Sequence, residues 1–201
     1  HAVLRSGAVR DELLAMACEA RMLVVGSRRH RTVWSRLFGT TGSAVTSRPP
    51  CPVVVVHGMH PGEVRRGVLV GIDDTEHART ALRFAFEQAS TTDRPLTVVH
   101  VGQKLTYGEP SDEPEQRLAV AEAVAGLREE YPDVPVRTTV ERGDPPTVLL
   151  RLGKDMHLIV LGTHHRRPMA ELLLGSVVVP VVERATCPVA VVPDDTHGRR
   201  T

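Results

Sequence analysis

One block of this chain occurs twice. Residues 23–56, "LVVGSRRHRTVWSRLFGTTGSAVTSRPPCPVVVV", align without a gap on residues 159–192, "IVLGTHHRRPMAELLLGSVVVPVVERATCPVAVV", an offset of 136 residues. Extended back to residue 1, roughly 15 positions are identical, including glycines and the Cys-Pro before the last apolar run. A chain built on such a repeat must fold each copy into the same unit, so its elements can be read twice.

Each copy holds a short continuous apolar run, "MLVVG" or "LIVLG", and closes on a second, "PVVVV" or "PVAVV". Runs without alternation read as strands covered on both faces, as in a parallel sheet. More precedes the second copy. "GVLVGIDD" (67–74) predicts a strand, and residues 75–90 place Ala78, Ala81, Leu82, Ala85, Phe86 and Ala89 on one helical face. "LTVVHV" (96–101) and "VRTTVERG" (136–143) predict strands, and 114–131 and 145–154 predict helices. Strands alternating with helices imply right-handed βαβ units in an open, doubly wound α/β sheet. Residues 67–193 thus read as one complete five-stranded parallel module with about four helices. Residues 1–56 read as the C-terminal half of another, 57–66 as a surface linker and 194–201 as a tail.

The charge balance narrows the partners. The 201 residues carry 25 basic and 24 acidic side chains, a net charge of +1, and only 3% aromatics. Neither a long-range field nor stacking platforms are offered to nucleic acid, and no apolar run reaches membrane-spanning length. Cys18, Cys51 and Cys187 are odd in number and form no CxxC, which fits reduced thiols in a cytoplasm.

These features resemble the universal stress protein family over nearly the whole chain. The family pattern after the fourth strand is Gly, two residues, Gly, nine residues, Gly, then Ser or Thr. The second copy supplies Gly162, Gly175 and Ser176 there, and the first supplies Gly26, Gly39 and Thr40. At the second glycine both copies depart, with Arg29 and His165. Asp73 and Thr75 match the Asp-x-Ser/Thr after the first strand, His100 and Val101 the end of the second, and "ERGDPP" the turn after the third.

The resemblance implies a Rossmann-like fold of the adenine nucleotide alpha hydrolase type. Its ATP-binding branch implies a nucleotide site at Asp73, Thr75, Val101, Gly162, His164, His165, Gly175, Ser176 and Val177. The first copy would keep only a vestigial loop at Gly26, Arg29, Gly39 and Thr40. The chemistry is intelligible: glycines let backbone amides turn toward an anion, and a Gly-Ser at a helix start adds N–H groups and a hydroxyl. Asp73 at a strand's carboxyl end would meet a ribose hydroxyl or adenine amine, and Val101 would meet adenine through its backbone. His165 in place of glycine puts an imidazole where phosphates would lie. A structural reading of the same residues, loop shaping and helix capping, stands beside this one. The function expected is a stress-response module that binds adenine nucleotide, ATP being the candidate ligand; the alternative is an interaction module with a vestigial loop. No catalytic residue emerges, so any ATPase activity would be slow.

Other constellations are weaker. Asp73-Asp74 resembles a phosphoacceptor pair, but neither an aspartate ending the third strand nor a lysine ending the fifth is present. His57 with His60, and His164 with His165, lack ligand-spaced carboxylates or thiols and read as surface histidines; no metal is assigned. Cys51 and Cys187, each before a closing strand, read as small core fillers. The closing strands should be edges, and in the resembling family two modules join through them. Antiparallel pairing of 53–56 with 189–192, through Val53, Val55, Val189 and Val191, is therefore expected. The first copy lacks inner strands beside "AVLR" and "MLVV", so a longer protein with about 70 preceding residues is expected.

Overall fold

The computed structural model describes residues 2–26, 50–57, 65–73, 78–102, 113–163 and 176–193. Helix α1 (Val9–Ala17) leads into strand β1 (Leu23–Gly26), and β2 (Val53–Val56) follows. The chain continues through β3 (Val68–Ile72), α2 (Ala78–Thr91), β4 (Leu96–Gly102), α3 (Glu113–Glu130) and β5 (Val136–Arg142). It closes with α4 (Pro145–Gly153), β6 (Leu158–Gly162), α5 (Val178–Arg184) and β7 (Val189–Val192).

The strands of the described residues join one seven-stranded sheet in the order β1-β2-β7-β6-β3-β4-β5. The sheet is thus seven-stranded and mostly parallel, where a five-stranded parallel module was expected of residues 67–193 alone. β3 to β7 are parallel among themselves, as are β1 and β2, but β2 runs antiparallel to β7 with Val53 opposite Val191 and Val55 opposite Val189. The apolar edges of two similar strands satisfy each other's backbone groups. As a result the closing strands are interior, and β1 and β5 are the edges.

Helices α2 and α3 cover one face of the sheet, where Leu82, Phe86 and Val124 pack on Val68, Val70, Val98 and Val160. Helices α4 and α5 cover the other, with Leu149, Val181 and Val182 on Leu69, Val99, Ile159 and Val189; Leu13 of α1 joins them. Phe86 and Tyr131 stack at a ring-centroid distance of 5.7 Å. The repeat is visible in coordinates: α1 and α4 begin and end 136 residues apart, as do β2 and β7. Gly7 (φ 149°) and Gly143 (φ 141°) share a positive φ before their helices, a conformation open to glycine.

Three local expectations fail. Residues 2–5, "AVLR", form no strand. β1 is not covered on both faces: Val24 is 60% exposed, while Val160, its counterpart in β6, is 0% exposed. The cause is the neighbourhood, since α2 packs over Val160 and the described residues put no such helix over Val24. The segment 57–66 is not simply a surface linker, because Arg65 is 7% exposed and donates to the carbonyls of Met156 and Thr186. Arg94 in turn donates to the Arg65 carbonyl, and His157 N–H to that of Gly67 at 2.7 Å. Residues 58–64 lie outside the described set.

Asp144 starts α4 by accepting hydrogen bonds from the Thr147 amide (3.1 Å) and hydroxyl. These bonds hold its carboxyl below the ordinary value, the hydroxyl's contribution being the larger. A folded-state value below the unfolded one makes the cap fully effective above the unfolded pKa, and the benefit is lost as pH falls through the folded value. Asp144→Ala is expected to lower the urea midpoint at neutral pH, by a gap that narrows toward about pH 3. A gap unchanged across that range contradicts the cap.

Candidate functional site

The chain leaves β3 toward β4 and β5 on one side and returns through β6 and β7 on the other. The carboxyl ends of β3 and β6 thus flank the point where the winding reverses, the crevice in which open α/β sheets take ligands. Asp73 directly follows β3 and is half-buried, Val101 is the penultimate residue of β4, and Gly162 ends β6. These three expected residues come together at one end of adjacent strands. Thr75, His164, His165 and Gly175, with Arg29, Gly39 and Thr40 of the first copy, lie outside the described residues.

Register refines the grouping. Ile72 pairs with His100, and Gly71 with Leu161, so continuing both ladders sets Asp73 between Val101 and Thr163. Paired residues of parallel strands share a face, here that of Val99, Leu161 and Leu149, which α4 and α5 cover. Glu141 continues the row beyond Val101. Thr163 was missed by the sequence reading. It is 4% exposed, its N–H donates to the Val192 carbonyl at 3.0 Å, and its buried hydroxyl has no hydrogen-bond partner among the described residues. A signal did exist: the repeat offset aligns Thr163 with Ser27, a hydroxyl after the strand glycine in both copies.

Packing among the described residues does not require Gly162. A Cβ there would meet only the Ala81 methyl among them, at 3.7 Å, an ordinary contact. At Gly67 it would lie 2.6 Å from the Pro95 carbonyl oxygen, and at Gly102 2.9 Å from the Gln116 amide oxygen. Contacts among the described residues thus do not explain the bareness of this first glycine of the loop pattern, nor that of Gly26 in the first copy, where an added Cβ would meet nothing within 4 Å.

Ser176 does not cap α5. The N-cap position is Val177, which provides no side-chain cap, and Ser176 stands outside it with its side chain exposed. His100 is buried in the sheet wall. His57 is no solvated linker histidine: half-buried, it donates from Nε2 to the Val182 carbonyl of α5 at 2.8 Å. That carbonyl belongs to the last turn, where helix carbonyls lack intrahelical partners, so β2's end caps a helix next to β7. Among the described residues no cluster of three or more His, Cys, Asp or Glu could hold a metal. Cys51 and Cys187 are buried and form no disulfide, and burial pushes the Cys51 thiol up. No helix among the described residues is long and apolar enough to cross a membrane.

Comparison with known proteins agrees with this architecture. A universal stress protein of Archaeoglobus fulgidus superposes with a TM-score of 0.56 at 26% identity, covering 64% of this chain and 99% of its own. A second from Archaeoglobus fulgidus covers 92% of this chain and 65% of its own, with a TM-score of 0.63 at 22% identity. Another structure from that organism, TM-score 0.54 at 24% identity over 64% of this chain and 98% of its own, is a complex with dAMP. Among sequences, a universal stress protein of Mycolicibacterium smegmatis is 36% identical over 197 residues, 94% of this chain and 67% of that protein. One from Mycobacterium tuberculosis is 33% identical over 188 residues, 89% of this chain and 64% of that protein. The chain thus spans about two thirds of the length of these curated relatives. The profile of the universal stress protein family matches residues 1–57 and 65–193, and on that match and these identities the chain belongs to the universal stress protein family.

Proposed function

We propose that the chain is a stress-response module that binds an adenine nucleotide at the carboxyl ends of β3, β4 and β6 and acts through conformation or partner binding. The observation that carries this reading is the convergence of Asp73, Val101 and Gly162 at the winding reversal, beside a buried hydroxyl that no group of the described residues satisfies. The dAMP complex of a structural neighbour supports the class of ligand. ATP is the ligand proposed, with Asp73 toward the ribose or the adenine amine and the Val101 backbone toward the base. Gly162, Gly175, Ser176 and Val177 would lie toward the phosphates, with Thr75, His164 and His165 close by. Any ATP hydrolysis is proposed to be slow, since no catalytic residue emerges from the sequence.

Residues 67–193 form the complete module in this reading, and 1–56 the C-terminal half of a second whose loop is vestigial. The 136-residue spacing of α1 to α4 and of β2 to β7 supports this layout, as does the bare face of β1 at Val24. The β2–β7 ladder is then the junction of two modules, with Val53, Val55, Val189 and Val191 at its centre. Thiols that form no disulfide suit work in a reducing cytoplasm.

The competing reading, an interaction module with a vestigial loop, is favoured by His165 at the family's glycine. Isothermal calorimetry with ATP on the whole chain separates the two. Saturable heat is expected, removed by Gly175→Glu and strengthened by His165→Gly. Absence of heat from all three proteins eliminates the nucleotide reading.

A further inference from the structure

We propose that the Thr163 hydroxyl is a ligand group of this site, recognising one hydroxyl of a ribose cis-diol whose other hydroxyl meets Asp73. The proposal rests on the nucleotide reading above and names what that site selects. Three observations carry it. Thr163 is 4% exposed, yet its Oγ1 has no hydrogen-bond partner among the described residues, and buried polar groups are so regularly paired that an orphan calls for an explanation. Its backbone is fixed in the sheet by the bond to Val192, so the side chain's face follows from strand alternation. Continuing the β3–β6 ladder makes Thr163 the lateral neighbour of Asp73 on the same face, at the ~4.8 Å spacing of adjacent strands.

The chemistry of the two groups differs in a useful way. An ionised carboxylate only accepts, whereas a threonine hydroxyl both donates and accepts. A diol placed across the pair gives one O–H to Asp73 and exchanges a hydrogen bond with Thr163 through the other. Phosphate would meet the Asp73 carboxylate unfavourably, which assigns the pair to sugar rather than to phosphate. A 2′- or 3′-deoxynucleotide leaves one of the two protein groups unsatisfied, so the site discriminates ribonucleotides from at least one deoxy form.

The test uses calorimetry with ATP, 2′-deoxy-ATP and 3′-deoxy-ATP on the whole chain and on Thr163→Val and Thr163→Ser. The wild type should bind ATP about tenfold more tightly than one of the deoxy forms, the equivalent of one hydrogen bond. Thr163→Val should lose that preference and about tenfold in ATP affinity, whereas Thr163→Ser keeps both. Without ligand, Thr163→Val should match or exceed the wild-type Tm, because it removes an orphan hydroxyl at constant shape. A lower Tm would reveal a protein partner for the hydroxyl and overturn the assignment. Wild-type affinity and preference in Thr163→Val overturn it too, leaving nucleotide binding intact. If the wild type binds none of the three nucleotides, the nucleotide reading fails and this assignment fails with it.

Discussion

Val55→Glu is expected to destabilise the chain by at least about 3 kcal/mol, because it buries an unpaired carboxylate and removes a packed valine. Val55 is 3% exposed, stands opposite Val189 in the β2–β7 ladder, and belongs to the apolar cluster under α4 and α5. β1 and β7 flank its strand, so the carboxylate has no sideways route to water. Val24→Glu, one strand away, is the control. Its side chain is already 60% exposed, and a surface change of this kind shifts stability by about 0.5 kcal/mol or less. Urea unfolding of both variants reads the difference, and comparable midpoints would mean that β2 is not clamped between β1 and β7 as described.

Gly67→Ala is expected to cost about 2 to 3 kcal/mol, the range of overpacking against atoms that cannot yield. The added methyl would stand 2.6 Å from the Pro95 carbonyl oxygen, which already accepts from Val68 N–H at 2.9 Å. Relief would need the entry of β3 to part from that of β4. Gly162→Ala, by contrast, meets among the described residues only Ala81, at 3.7 Å, and should leave the thermal midpoint of the ligand-free chain nearly unchanged. Equal losses for the two variants would show that Gly162, too, is demanded by the fold. The contrast separates a glycine that the architecture requires from one that the proposed ligand would require.

Much of this fold was legible because its strands are short unbroken apolar runs between turn residues. "LTVVHV" and "LIVLG" became β4 and β6 almost to the residue, and Ala81, Leu82, Ala85, Phe86 and Ala89 are the buried stripe of α2. Burial was less legible, since it depends on which element lies above a strand. "MLVVG" and "LIVLG" have one pattern, yet Val24 is exposed and Val160 enclosed, because only the second run lies beneath α2. The polar segment after β2 misled for a related reason. Arg65 and His57 look like solvated linker residues, but strand and helix ends leave carbonyls without partners, and these two side chains reach them.

At the site, Asp73, Val101 and Gly162 could be named because the family resemblance falls on strand ends, and parallel strands of one sheet bring their carboxyl ends together. Thr163 escaped because a hydroxyl beside a glycine motif looks like any loop threonine. Its significance depends on a register that places it beside Asp73 and on burial that leaves Oγ1 alone. Neither is written in local composition.

The central claim is that an adenine nucleotide occupies the carboxyl ends of β3, β4 and β6. The most direct measurement is a titration of isotope-labelled chain with ATP followed by amide chemical shifts. Saturable shifts should concentrate at Asp73, Val101, Gly162 and Thr163, while the far edge at Val136 and Arg137 stays still. Shifts absent at saturating ATP, or confined to β1 and β2, would contradict it.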